Sequence, residues 1–359
     1  MHAKTPQYDI YKLIDKLYQN TSLTKDEWIF TIDFLKNEAD DSDILQYLFS
    51  LARKKQSQYY GKKVYIRGLV EISNICKNDC FYCGIRASNA KVERYRLSPE
   101  QILNCAEAGY DLGFRTIVMQ GGEDGYFTDE IMYHIISEIK KSHEDVAVTL
   151  SLGERSFESY KKLYDAGADR YLLRHETATS DHYAKLHPEK MLLSSRMECL
   201  YNLKSIGFQT GSGFMVGSPY QTTENIAEDM LFLKKLEPQM VGIGPFIPHI
   251  DTPFRDFAKG SGDLTIILIA LVRLMLPKAL IPATTALGTI DKYGREKGIL
   301  AGANVIMPNL SPESVRDKYA LYNNKLHTGA ESAQHLELLK EKMNKIGYEI
   351  SIERGDYAE

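Results

Sequence analysis

Alternation predicts the fold. Eight short β-rich runs, each followed by a helical stretch, imply parallel strands joined by right-handed crossovers, and eight such units close a complete (β/α)8 TIM-type barrel. Two further observations support this α/β class. Residues 1–60 read as helices alone, an amino-terminal helical cap. The first strand then ends in a cysteine loop, not in the glycine-rich turn that an open doubly wound sheet usually carries. The expected organisation is the cap over 1–60, the barrel over 61–326 and a short carboxyl-terminal extension over 327–359.

The cap contains three helical stretches, 8–19, 24–37 and 41–59; Thr24 with Glu27 three residues on is a capping box, and Asp41 or Ser42 opens the third stretch. The strand runs are 64–72, 116–120, 146–151, 170–174, 209–216, 240–245, 280–285 and 304–308. Amphipathic helices such as 99–112 and 222–236 lie between them, and several end in glycine before the next strand, as at Gly167, Gly207 and Gly302. Beyond residue 326 a polar tail carries one helix, 333–346, and a final short strand.

Composition narrows the partners. A chain of 359 residues, 43% hydrophobic and 26% charged, can bury a large core. A net charge of -4 and the lack of a Lys/Arg stripe interleaved with aromatics argue against nucleic acid. The amino terminus lacks the basic-then-apolar plan of a signal peptide, and the longest apolar run, 264–276, is too short to span a bilayer and carries Arg273. The expectation is a cytoplasmic protein without a membrane partner. Five cysteines, three of them clustered, suit a reducing compartment better than a disulfide framework.

Those three, Cys76, Cys80 and Cys83, directly follow the first strand, and no fourth cysteine or histidine completes the set. A structural zinc site closes its tetrahedron with four protein ligands, whereas a cubane 4Fe-4S cluster on three cysteines keeps one iron open for a substrate or cofactor. The triplet also suits half of a zinc site with a distant fourth ligand. Cys105 and Cys199, however, sit in helical segments among apolar neighbours and read as buried small hydrophobes. The spacing C-x3-C-x2-C, with aromatic Tyr82 before the last cysteine, resembles the signature of the radical S-adenosylmethionine (SAM) superfamily. That resemblance implies SAM bound to the open iron through its amino and carboxylate groups, its reductive cleavage to methionine and a 5'-deoxyadenosyl radical, and a preference for low oxygen.

Barrel active sites lie at the carboxyl ends of the strands, and reactive residues gather there. Strand two ends in Gln120-Gly121-Gly122-Glu123, strand three in Thr149-Leu150-Ser151, strand four in Arg174-His175-Glu176, and strand seven in Thr284-Thr285. Gly121 and Gly122 would let a ligand approach the backbone closely, although a Gly-Gly pair is also a plain turn. With period two, Arg170, Arg174 and Glu176 share one side of their strand and are expected to face the barrel interior, where the arginines suit a substrate carboxylate and Glu176 a hydroxyl or ammonium group. An internal salt-bridge lattice is the alternative. His175 is expected to face the helix layer as a packing residue.

The strings Leu150-Ser151-Leu152-Gly153-Glu154, Gly167-Ala168-Asp169-Arg170-Tyr171-Leu172-Leu173-Arg174-His175-Glu176-Thr177, Val241-Gly242-Ile243-Gly244-Pro245-Phe246-Ile247-Pro248, Ile281-Pro282-Ala283-Thr284-Thr285 and Gly302-Ala303-Asn304-Val305-Ile306-Met307-Pro308-Asn309, with the cysteine loop, resemble the HydE family of FeFe-hydrogenase maturases from about residue 41 to 325. The resemblance implies that Cys76, Cys80 and Cys83 hold the one 4Fe-4S cluster, with Tyr82, Gln120, Gly121, Gly122, Glu123, Glu176, Arg196, Met240, Met307 and Tyr319 around SAM. Thr149, Ser151, Arg170, Arg174, Thr284 and Thr285 are implied to line the substrate cavity. It also implies an iron complex received from the maturase HydG, delivery to the scaffold HydF, and an external electron donor such as a flavodoxin or ferredoxin. Three departures stand out: Gly121-Gly122-Glu123 replaces Ser-Gly-Glu, Gly217-Ser218-Pro219-Tyr220-Gln221 replaces Gly-Leu-Pro-Gly-Gln, and the tail has no cysteines for a second cluster. They leave room for a paralogue such as methylornithine synthase, a lysine mutase, or HmdB. A non-catalytic metal carrier is the rival from another class.

Overall fold

The computed structural model of the protein describes residues 8–326 and 332–358. The first seven residues, which carry the reading of the amino terminus, and 327–331, where the tail begins, lie outside the described residues. The strands are β1 (Lys63–Ile66), β2 (Gly68–Ser73), β3 (Thr116–Gly121), β4 (Ala147–Ser151), β5 (Arg170–Leu172), β6 (Gln209–Ser212), β7 (Met215–Val216), β8 (Met240–Val241), β9 (Gly244–Pro245), β10 (Val305–Ile306) and β11 (Glu349–Ser351).

Six of them form a parallel sheet in the order β2-β3-β4-β5-β6-β8. From β8 the ring continues through single parallel bridges, Met240 to Leu280 and Pro282 to Val305. β10 then pairs with β1 in parallel, Tyr65 opposite Val305 and Ile66 opposite Ile306, and Leu69 bridges Asn309. Parallel pairing thus passes through eight strand positions and returns to the first, as a closed (β/α)8 arrangement requires. The seventh position is reduced to its bridging residues for two reasons. Pro282 has no N–H to extend a ladder, and Thr284 is already the N-cap residue of the helix Thr285–Ile290. The fifth and sixth runs are each split in two, and β7 pairs with β9 beyond the break. There the two backbones approach so closely that a Cβ on Gly213 would lie 2.0 Å from the Gly242 carbonyl oxygen.

The cap helices follow the expected caps: Asp9 accepts from the N–H groups of Tyr11 and Lys12 ahead of Ile10–Asn20, Thr24 and Glu27 form a capping box on Lys25–Leu35, and Ser42 precedes Asp43–Tyr60. Leu17, Trp28, Ile32 and Leu48 belong to one core with the barrel's helix layer. The apolar run is the helix Gly262–Met275, buried on every side from Thr265 to Met275. Its Arg273 is satisfied by the carbonyls of Gly302 and Pro277 and by Asn304 Oδ1. No helix among the described residues is long and apolar enough to cross a membrane.

The tail does more than extend the chain. After the helix Leu336–Lys345, β11 pairs with β1 in parallel at the amino-terminal end of the barrel, Val64 opposite Ile350. Residues 354–356 then turn under the strands, where Arg170 meets them.

Candidate active site

At the carboxyl ends of the strands the barrel opens on a cavity of about 350 Å³. Cys76, Cys80 and Cys83 all line it, on the loop that leaves β2. The backbone N–H groups of Asn78 and Glu123 both point at Cys76 Sγ, each at 3.4 Å. Gly122 is required where it stands, since a Cβ there would come within 2.2 Å of the Ile75 carbonyl oxygen and 2.8 Å of Cys76 Cβ. Three thiols at one end of one cavity, with amide hydrogens on a sulfur and free space before it, fit an iron–sulfur cluster. Among the described residues no three His, Cys, Asp or Glu side chains converge tightly enough to hold a single metal ion. A cluster makes no such demand, because it spreads its thiolates over separate irons. Burial pushes the thiol of Cys83 up to about 12 and that of Cys80 higher still, so iron must displace protons as it binds. Cys105 and Cys199 are buried away from the loop, as expected.

Tyr82 is held by its hydroxyl. His187 Nδ1 lies 3.0 Å from the Tyr183 carbonyl, which can only accept, so Nδ1 carries the hydrogen and Nε2 accepts from Tyr82 at 3.2 Å. Burial lowers the His187 pKa to about 3, which keeps this tautomer neutral. Glu176, which also lines the cavity, has φ 66°, left-handed backbone that a side chain adopts only under constraint. Its N–H is tied to the Gly213 carbonyl. Arg174 Nη2 stands 2.9 Å from Glu176 Oε2, an ion pair without an aligned hydrogen bond. Arg174 Nε and Nη2 and Glu176 Oε2 are buried with no hydrogen-bond partner. Such atoms are costly unless a ligand meets them. Arg196 pairs with Glu154 at 2.7 Å and donates to the Arg174 carbonyl. Gln120 Nε2 reaches Tyr319 Oη at 3.4 Å, and Lys77 pairs with Glu123 at 3.1 Å.

The structure gathers most of the expected site residues around this cavity: Tyr82, Gln120, Gly121, Gly122, Glu123, Ser151, Arg174, Glu176, Arg196, Thr284, Thr285, Met307 and Tyr319 all line it. Three do not. Thr149 and Met240 line a separate space of about 20 Å³ deeper in the barrel, with Arg67 and Leu172. Both sit one layer below the strand ends.

Arg170 lies deeper still and is a correction: it lines neither of these two spaces. Its fully buried guanidinium donates to Gln209 Oε1, Thr116 Oγ1, the carbonyls of Arg354 and Gly355, and Asp356 Oδ1 at 2.6 Å. The expected side was right, but four residues of strand separate Arg170 from Arg174 by roughly 13 Å. That puts them at opposite ends of the barrel. His175 faces the helix layer as expected, between Phe214 and Phe232, with Nε2 3.3 Å from buried Asp229.

Sequence reasoning missed Glu71 and Lys325, which line the cavity and pair at 2.5 Å, with Asn309 Nδ2 on the second oxygen of Glu71. A lone charge in the apolar run Leu69-Val70-Glu71-Ile72 was the available signal for the first. Lys325 has none, since it arrives on an irregular segment.

A closed eight-stranded barrel whose first strand delivers three cysteines into its mouth is the architecture of a radical SAM enzyme, and the radical SAM superfamily profile matches residues 70–233. The FeFe hydrogenase maturase subunit HydE of Thermotoga maritima is 47% identical over 83% of this chain and 85% of its own. The 3-methylornithine synthase of Methanosarcina acetivorans is 27% identical over 91% of each. Among solved structures, methylornithine synthase (PylB) superposes with a TM-score of 0.82 at 26% identity, covering 94% of this chain and 97% of its own. The maturase HydG shares the fold, with a TM-score of 0.79 at 22% identity over 97% of this chain and 77% of its own. The chain belongs to the HydE family of the radical SAM superfamily, whose members use a 4Fe-4S cluster and SAM.

Proposed function

We propose that this chain acts in assembly of the FeFe-hydrogenase active site, as a radical SAM enzyme working on a small iron complex that bears cysteine. The observation that carries this reading is the 47% identity to HydE over 83% of the chain. Cys76, Cys80 and Cys83 hold the cluster, and the bound cluster and SAM together supply reductive cleavage to methionine and a 5'-deoxyadenosyl radical. The protein's part is to bind, orient and isolate. Gly121 and Gly122 leave the strand-two backbone open to an ammonium group, Glu176 offers to a hydroxyl or ammonium an oxygen that accepts no hydrogen bond, and Tyr82, Met307 and Tyr319 supply apolar walls. Arg174, with Ser151, Thr284 and Thr285, takes the carboxylate of the substrate, since its Nε and Nη2 donate no hydrogen bond even though Nη2 is ion-paired with Glu176. A carbon radical reacts with almost any C–H bond, so fixing the substrate inside a barrel supplies both proximity and protection. HydG as source, HydF as recipient and a flavodoxin or ferredoxin as electron donor complete the reading.

A second reading, an amino-acid mutase, is favoured by the TM-score of 0.82 to methylornithine synthase. The same cation would clamp a lysine carboxylate, so turnover must separate the two. The test is anaerobic reconstitution with iron and sulfide, then SAM and a strong reductant, with 5'-deoxyadenosine measured in the presence of the iron–cysteine complex or of lysine. Stimulation by the iron complex, absent from Cys80→Ser, is the expected result. Stimulation by lysine alone transfers the chain to the mutases, and a loaded enzyme that makes no deoxyadenosine sinks both.

A further inference from the structure

Three side chains that do not line the cavity give the cysteine loop its shape. Arg94, on the segment that returns from the loop, aims its guanidinium at four backbone carbonyls. Nη1 donates to Asn74 O at 2.6 Å and Ile85 O at 2.8 Å. Nη2 donates to Arg86 O at 2.6 Å and Asn89 O at 3.1 Å. Asn74 lies two residues before Cys76 and Ile85 two after Cys83, so one nitrogen joins both ends of the ligand-bearing segment. The middle is held separately. Arg86 grips Asp79, the residue before Cys80, through Nε at 2.7 Å and Nη2 at 2.5 Å. Asp79 Oδ1 also accepts from the N–H and hydroxyl of Ser88. None of these bonds uses a cysteine.

An irregular loop has no sheet or helix to satisfy its carbonyls, and a planar fork of five donors can collect several at once. We infer that Arg94 is a positioning residue for the cluster: it clasps the two ends of the cysteine loop and sets the ligand-ready shape before iron arrives. The inference rests on the assignment of the cluster to the three cysteines. Supports behind the ligands of a metal site typically contribute about 10–100-fold to affinity, and that is the scale expected here.

The experiment uses the 359-residue chain, as purified without metal and after anaerobic reconstitution, and compares wild type with Arg94→Met, Arg94→Lys and Cys80→Ser. In the metal-free protein, backbone amide exchange over residues 74–89 should speed up in Arg94→Met and remain at the wild-type rate in Cys80→Ser. After reconstitution, retention of iron and sulfide against a chelator should fall about 10–100-fold in Arg94→Met, with a changed electron paramagnetic resonance spectrum of the reduced cluster. Arg94→Lys keeps the charge but cannot span four carbonyls, so it should lose iron nearly as fast. Wild-type exchange and iron retention in Arg94→Met overturn the clasp. Full loading of Arg94→Lys overturns it too, because charge alone would then suffice, and this variant serves if Arg94→Met does not fold. Wild-type loading of Cys80→Ser is the distinct failure of the cluster assignment beneath it.

Discussion

Arg170 and Arg174 stand four residues apart at the base and top of one strand position, and the shared side of the strand that the period of two gives them hides how differently they are used. At the base, Arg170 has every side of its guanidinium occupied: a threonine, a glutamine, two carbonyls and the carboxylate of Asp356. At the mouth, Arg174 faces Glu176 out of alignment, and two of its three nitrogens lack any hydrogen bond. The same residue type thus closes one end of the barrel and keeps the other ready. A saturated arginine is structure, and a half-buried one with two nitrogens that make no hydrogen bond is a site waiting for a ligand.

The largest effect that could break this contrast belongs to the base. Arg170→Met should lower unfolding stability by about 3 kcal/mol, the lower end for breaking a buried pair, because the stranded Asp356 is half exposed and can rehydrate. Urea unfolding of the metal-free protein measures it. Deoxyadenosine formation per folded, loaded molecule should stay at the wild-type level. A drop in that yield with stability intact would mean that Arg170 belongs to the site after all.

Next comes the mouth, where the dissociation should reverse. Arg174→Lys keeps the cation that faces Glu176, only 13% exposed, but loses the planar fork of donors, so the unfolding midpoint should move little, while KM for the carboxylate-bearing substrate should rise about 10-fold, the equivalent of one charge-assisted hydrogen bond. Cleavage of SAM without substrate should persist. Unchanged KM would leave Arg174 as a partner for Glu176 and nothing more.

How much of this was legible depends on which interactions each residue obeys. The eight-unit alternation, the capping box at Thr24 and the cysteine loop are local patterns, and local hydrogen bonding and side-chain period realise them, with the fifth and sixth runs split and the seventh reduced to single bridges. Even the side to which Arg170 points followed from the period of two. Its depth did not, because height along a strand depends on where neighbouring strands begin and on a tail that returns from residues 349–358 to fill the base. Lys325 was invisible for the same reason, reaching Glu71 across more than 250 residues of sequence. So was Arg94, whose partners are carbonyls that no side-chain pattern records.

The smallest prediction sharpens the base by asking how much of its closure is ionic. Burial tends to raise the pKa of Asp356, but the hydrogen bond from Arg354 and the nearby charge of Arg170 more than offset it and hold the carboxyl below its ordinary value. A carboxylate whose native pKa is depressed stabilises the fold fully above its unfolded value, about 3.9, and that contribution disappears as pH falls through the native value. Asp356→Asn keeps an oxygen to accept from buried Arg170 and removes only the charge on the half-exposed partner, so it should cost about 1 kcal/mol at pH 7 and progressively less below pH 4. Denaturation midpoints of wild type and variant, followed from pH 7 to pH 3, should converge on the acid side. Parallel curves would show that the side chain serves by shape and neutral hydrogen bonding. Arg170 would then be held chiefly by the carbonyls of Arg354 and Gly355, and the plug at the base would be insensitive to acid.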